Sequence, residues 1–392
     1  MRYASLMNKG FFWMLVILLV TMVSCTPKVR KPVGIMDTPR HHYNQGLAFL
    51  DQDDPGSAVR EFDLALGLDN AYAPAWAGKG LALVVQGDDN GLKMIRKAWR
   101  KADDAWEKEQ AVTAEIRAYI AMKQKGRLGD AEMIRKAKEA FSRGMLVNRN
   151  APALYFYMGE AYLQGLDFRE SETMFATAAN LGGDFEELAH DRWVFVQKAT
   201  RAAPQSMAGK KIALVDKLTR GDMAALLVEE MNIVRFYNRT QEPRSAVFEA
   251  PGDSLVSGTD PSDHVMTDIE GNPLQSDIEQ VVALGVEGLR PYPDHTFRPR
   301  AFVTRVEAAQ LFQDIIVRAT GKTSLGTTYI GEPSRIPDVP KDHWGFNAVR
   351  LCTERGILST DVRTNAFYPQ EAMSGVDALL AIKELKRALT VF

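Results

Sequence analysis

Small and apolar residues recur along the first half of the chain with the period of an α-helix, and they recur in blocks. Ala58, Phe62 and Ala65 follow Gly46; Ile95 and Ala98 follow Trp76 and Gly80; Phe175 and Ala178 follow Tyr155, Gly159 and Tyr162. Gly46 and Gly80 lie 34 residues apart, and the second block slips by one residue against the first. A repeat of this length carried by small residues predicts paired helices. Glycine and alanine let two helices approach closely, and the aromatic residues fill the wedge between one pair and the next. No such pair buries its apolar face alone, so the blocks must stack. Between the second and third blocks, Ala102 to Arg149 carries a long charged helix and a turn at Gly126 to Asp130, ahead of Ala137, Phe141 and Gly144. It reads as an irregular block with an elongated first helix.

The second half is punctuated differently. Leu218-Thr219-Arg220-Gly221-Asp222 and Val303-Thr304-Arg305-Val306-Glu307 each place a hydroxyl cap and an acid three positions later in front of an apolar helix. Ahead of the second stand Asp268-Ile269, a helical run from Ile278 to Leu284, Gly285 and Phe297-Arg298-Pro299. A third copy runs Pro337-Asp338-Val339, His343-Trp344, Ala348 to Arg355, Gly356-Ile357, Phe367-Tyr368-Pro369 and Ser374-Gly375-Val376-Asp377. The expected fold class is therefore mainly α: a solenoid of helical hairpins followed by a helical bundle of three pseudo-repeats.

The first pattern resembles the tetratricopeptide repeat, in which an aromatic, a glycine and a tyrosine mark the first helix and Ala, Phe and Ala the second. The resemblance covers residues 41–200 and implies a groove lined by the first helices that holds a protein partner. Tyr43, Leu47, Ala77, Leu81, Phe156 and Glu160 fall at the groove positions. They are apolar or acidic, so the expected guest is an apolar helix or extended segment and not a carboxylate tail. The same side chains serve equally well as packing against neighbouring helices.

The second pattern resembles the S-layer homology domain, which joins an Asp-Val, a His-Trp, a helix ending in Gly-Ile, a loop ending in Phe-x-Pro, and a Thr-Arg-Ala-Glu at the second helix. The resemblance covers residues 212–388, as a partial module (212–240) and two fuller ones (266–320 and 336–388). It implies a pseudo-threefold bundle whose grooves hold a cell-wall polymer or peptidoglycan through the motif arginine. Arg220 and Arg305 are the candidate contacts, with Thr219 and Thr304 as caps. On that reading Arg220→Ala and Arg305→Ala weaken polymer binding and leave the protein folded. The alternative is that both arginines pair with nearby acids and lock the bundle. Gly375 replaces the third arginine, so its groove is expected to be silent and tolerant of substitution, and Trp344 is expected in the core.

Residues 1–24 add a targeting signal. Arg2 and Lys9 precede an apolar run from Phe11 to Val23, interrupted only by Thr21 and too short to span a bilayer comfortably. Met22-Val23-Ser24-Cys25 resembles the lipobox of bacterial lipoproteins, although Met22 stands where leucine is usual. The resemblance implies acylation of Cys25, a lipid anchor, a tether over residues 25–40 and, with Thr26 next, the periplasmic face of the outer membrane. A linker over residues 201–211 separates the two repeat regions.

Composition narrows the chemistry. The chain carries 48 Lys+Arg against 50 Asp+Glu, without the basic excess that a nucleic-acid partner requires. Two cysteines, Cys25 and Cys352, make neither a disulfide framework nor a thiolate metal site. Asp51, Asp53 and Asp54 start like a calcium loop, but Pro55 and Phe62 occupy later ligand places. Gly321-Lys322-Thr323 lacks the first glycine of a phosphate loop, where Ile316 stands, and His41-His42 lacks a spaced third ligand. Asp260 and Asp263 sit in a Gly/Pro/Ser-rich loop. No catalytic residue, metal or cofactor is expected. Two readings remain: an envelope lipoprotein that links a protein partner to cell-wall glycan, or a purely protein-binding assembly scaffold.

Overall fold

A computed structural model describes residues 30–239 and 266–390. The described residues are mainly α-helical, with sixteen α-helices and no strand among them. In chain order these are α1 (Pro39–Asp51), α2 (Pro55–Leu68), α3 (Ala73–Gln86), α4 (Asn90–Lys101), α5 (Ala105–Gln124), α6 (Asp130–Val147), α7 (Pro152–Gln164) and α8 (Phe168–Leu181). They continue as α9 (Glu186–Ala202), α10 (Met207–Ile212), α11 (Arg220–Ala225), α12 (Ile233–Arg239), α13 (Gln275–Ala283), α14 (Arg305–Thr320), α15 (Phe346–Glu354) and α16 (Gly375–Thr390). Contacts divide the chain into two compact units, 30–165 with 173–189, and 166–172 with 190–239 and 266–390.

Local chemistry starts and stops the helices of the first unit. Thr38 and Asp54 cap α1 and α2, each followed by a proline whose missing N–H is not needed in a first turn, and Asp104 caps α5 through the Glu107 N–H. Gly87 ends α3 at a φ of 101°, a left-handed backbone that glycine adopts without strain. Each helix from α1 to α6 packs on the next, and α1, α3, α5 and α7 also pack in succession on one another, forming one layer of a stacked array. The close approaches fall at glycines. A Cβ on Gly46 would stand 2.5 Å from the Phe62 ring, one on Gly80 2.6 Å from the Gly91 carbonyl oxygen, and one on Gly159 2.9 Å from Phe175. Gly80→Leu or Gly159→Leu is expected to lower stability by about 1–3 kcal/mol through overpacking, read as a lower midpoint in thermal unfolding.

Residues 30–38 fold back onto this unit. Arg30 pairs with Asp37, and His42 sits with Nε2 2.8 Å from Asp37 Oδ1 and Nδ1 2.6 Å from Glu61 Oε2. Burial opposes charge on the imidazole, but the two carboxylates outweigh it and raise its pKa.

The second unit is organised by three helix starts. Thr219 and Thr304 close reciprocal capping boxes with Asp222 and Glu307, and the Asp377 N–H donates to Ser374 Oγ at the start of α16. The residues just before these caps join in a closed ring. Leu218 N–H donates to the Met373 carbonyl (2.7 Å), Met373 N–H to Val303 (2.9 Å), and Val303 N–H to Leu218 (2.9 Å). Around that ring the two fuller modules repeat at a spacing of 70 residues. Asp268 accepts from the N–H groups of Phe297 and Arg298, and Asp338 from those of Phe367 and Tyr368, all at 2.6–2.8 Å. Arg298 and Tyr368 hold φ of 57° and 54°, a conformation that costs a side-chain-bearing residue about 1 kcal/mol or more. The aspartates offset that strain and fix the loops. Phe297 and Phe367 are thereby buried completely.

Candidate functional site

Arg220 opens α11 and turns its side chain into the fixed loop of the next module. Its Nε donates to the Phe297 carbonyl at 2.9 Å, Nη1 to Gly288 at 2.7 Å and Nη2 to Arg290 at 3.0 Å. The guanidinium lies over the rings of Phe297 and Tyr292, and only 9% of the residue is exposed. Arg305 repeats the arrangement from α14, with Nε donating to Phe367 at 2.7 Å and Nη2 to Ser359 at 2.6 Å. Burial lowers the pKa of both. Each arginine therefore fastens its own module to the next through backbone carbonyls. The expected acid partners are absent from this arrangement; the guanidiniums meet backbone carbonyls, and only those of Phe297 and Phe367 belong to residues whose N–H groups Asp268 and Asp338 hold. Thr219 and Thr304 are caps as expected; their hydroxyls donate to Asp222 and Glu307 at 2.7 and 2.8 Å, which leaves little for a ligand.

Above Arg220 opens a groove of about 290 Å³. Its walls include Tyr292, Phe302, Glu307, Gln310 and Trp344. Trp344 is 62% exposed and Phe302 56%, and the indole stacks on His343 with ring centres 5.6 Å apart. The expectation that Trp344 belongs to the core is thus corrected. Gly345 and the start of α15 pack inward and leave the preceding indole outside; a Cβ on Gly345 would collide with Val306. Flat apolar faces beside a carboxylate and an amide suit a ligand with both apolar and hydroxyl-bearing faces. The second arginine lacks this setting, because Val362 and Ala372 stand 70 residues beyond Tyr292 and Phe302. The third position is closed. Gly375 N–H donates to Val215 at 2.8 Å, and any Cβ on Gly375 would collide with the Ile212 carbonyl. The expected tolerance of Gly375 is therefore corrected for stability.

The first unit carries a separate cavity of about 520 Å³. Tyr43, Leu47 and Leu81 line it as expected. Ala77, Phe156 and Glu160 do not: Ala77 is turned into the core between helices, Phe156 packs against Phe175 and Phe185, and Glu160 lies off the cavity wall. The difference is one of helical phase. The wall follows Arg40, Tyr43 and Leu47 on α1 and Trp106, Gln110, Thr113 and Arg117 on α5. The α5 residues were missed because they lie in the irregular block, although their spacing of three to four is visible in the sequence.

Among the described residues, no group of three or more His, Cys, Asp or Glu residues is placed to hold a metal ion, and no helix is long and apolar enough to cross a membrane. Cys352 is buried, and burial raises its thiol pKa. Cys25 and the apolar run before it lie outside the described residues. Comparison with family models matches residues 335–378 to the S-layer homology domain. A search of curated proteins finds no match.

Proposed function

We propose that the chain is a non-enzymatic cell-envelope lipoprotein whose C-terminal modules hold a cell-wall polymer, while its tetratricopeptide-like half holds a protein. The S-layer homology match supports the envelope role. The observation that carries the polymer reading is the exposed aromatic groove, in which Trp344, Phe302 and Tyr292 surround the buried Arg220 cation. The aromatic faces would stack on sugar rings, and Glu307 and Gln310 would meet hydroxyl groups. In this reading Arg220 shapes the groove and contributes positive potential, and Arg305 and Gly375 mark positions without a comparable aromatic wall. Acylated Cys25 would tether the protein to the outer membrane on its periplasmic side.

Trp344→Ala should reduce cosedimentation with purified cell-wall sacculi about tenfold and leave the melting temperature unchanged, since the side chain is exposed. Unchanged cosedimentation would place the binding outside this groove, and no cosedimentation of the wild type would remove the polymer reading. The lipid anchor is tested separately: radiolabelled fatty acid should enter the wild type and not Cys25→Ala, and equal incorporation would remove it.

A second reading is favoured by the same arginines. With both guanidiniums taken up by carbonyls and the Gly375 position closed, the modules would serve a protein-binding assembly scaffold without glycan. Sacculus binding by the wild type excludes that reading.

A further inference from the structure

We infer that the cavity of the first unit receives an extended peptide segment carrying two carboxylates about five residues apart. The inference rests on the reading of this half as the protein-binding part and names the chemistry of its guest. Arg40 lies over the Trp106 ring at 5.4 Å and Arg117 over the Tyr157 ring at 4.9 Å. All four side chains line the cavity. The rings hold the guanidiniums on the wall and leave their N–H edges available. Arg40 has no ion pair among the described residues, and Arg117 has one, a 3.3 Å contact to the exposed Asp51. A second and independent feature lies on α5 between them. Thr113 is 6% exposed, lines the same cavity, and its Oγ1 has no hydrogen-bond partner. A buried hydroxyl left without a partner is costly, and a ligand amide or carbonyl would satisfy it.

Spacing sets the length of the guest. Trp106 and Arg117 are eleven positions apart on α5, about 16 Å at the helical rise. Arg40 and Asp51 are also eleven apart on α1, and Asp51 meets Arg117 as Arg40 meets Trp106. The two cations therefore stand at opposite ends of the cavity. An extended chain covers that distance in about five residues. Leu47 and Leu81 supply the apolar wall between the ends. Glu109 and Asp184 line the same cavity, so the guest departs from the expected apolar segment only where Arg40 and Arg117 stand.

The test uses the full chain and three libraries of nonapeptides with blocked termini. One fixes two glutamates five positions apart, one fixes them two apart, one fixes two glutamines, and all are randomised elsewhere. The five-spaced library should be retained at least tenfold better than the others, and retention should fall with salt. Arg40→Gln and Arg117→Gln should each reduce it about tenfold and Thr113→Val severalfold, with circular dichroism unchanged. Equal retention of the glutamine library, lost on Leu81→Arg, overturns the diacid inference while leaving a peptide-binding cavity. Retention of no library overturns both. Equal retention of the two glutamate spacings, or of the five-spaced library by folded Arg→Gln variants, overturns the placement of the two carboxylates.

Discussion

Arg220→Ala should destabilise the second unit by on the order of 3–5 kcal/mol, a fall of roughly 6–20 °C in its melting temperature. Truncation removes charge-assisted bonds to the carbonyls of Phe297, Gly288 and Arg290 and leaves those groups facing a void beside Phe297. Water can replace some of these bonds at the groove but not the packing of the guanidinium between two rings. Arg220→Met should lose nearly as much, because it restores volume and not donors. Arg220→Lys should fall between, keeping the charge without the planar fork that reaches three acceptors. Arg305→Ala should cost less, since Arg305 makes two such bonds and is less buried. Calorimetry on the full chain reads the order directly. An Arg220→Ala protein that melts within 2 °C of wild type would show that the loop of the next module holds its shape unaided.

What the sequence made legible follows the range of the interactions. The helix starts at Thr219 and Thr304 could be read because a capping box closes within three residues. The pairing of Gly46 with Phe62 and of Gly159 with Phe175 could be read because it repeats at 16 residues. Gly78, which presses on the same Phe62 ring from α3, has no counterpart in the pattern and was not read. The function of Arg220 was not legible, because its acceptors lie 68–77 residues away and are carbonyls, which carry no side-chain signature. The groove of the first unit shows a subtler failure. The six groove positions read from the sequence are apolar or acidic and include no cation. The cations come instead from Arg40, at the first turn of α1, and from Arg117 on an elongated helix whose phase the repeat frame did not fix. Trp344 illustrates the limit for single residues, since nothing in a His-Trp pair tells which of its neighbours faces the core.

Gly375→Ala should disrupt the second unit by about 3 kcal/mol or more, although it adds a single methyl group. The atoms in the way are the carbonyl oxygen and carbon of Ile212, which belong to the backbone and cannot rotate aside as a side chain would. Moving that turn would stretch the bond from Gly375 N–H to the Val215 carbonyl. It would also strain the ring through Leu218, Met373 and Val303, because Leu218 lies three residues beyond Val215 and donates to Met373, two residues before Gly375. A loss at this point therefore spreads to all three modules. Gly375→Arg, which would restore the residue usual at this place in the motif, should be worse, since the space is filled by chain and not by groove. Gly326→Ala is the control, with nothing within 4 Å of the added methyl, and should change the melting temperature by less than about 2 °C. Amide exchange supplies the second readout: protection of Leu218, Val303 and Met373 should fall together in Gly375→Ala and remain in Gly326→Ala. Retained protection at these amides, with an unchanged melting temperature, would mean that the 212–215 turn can yield without opening the ring, and that the glycine is not what closes the third position.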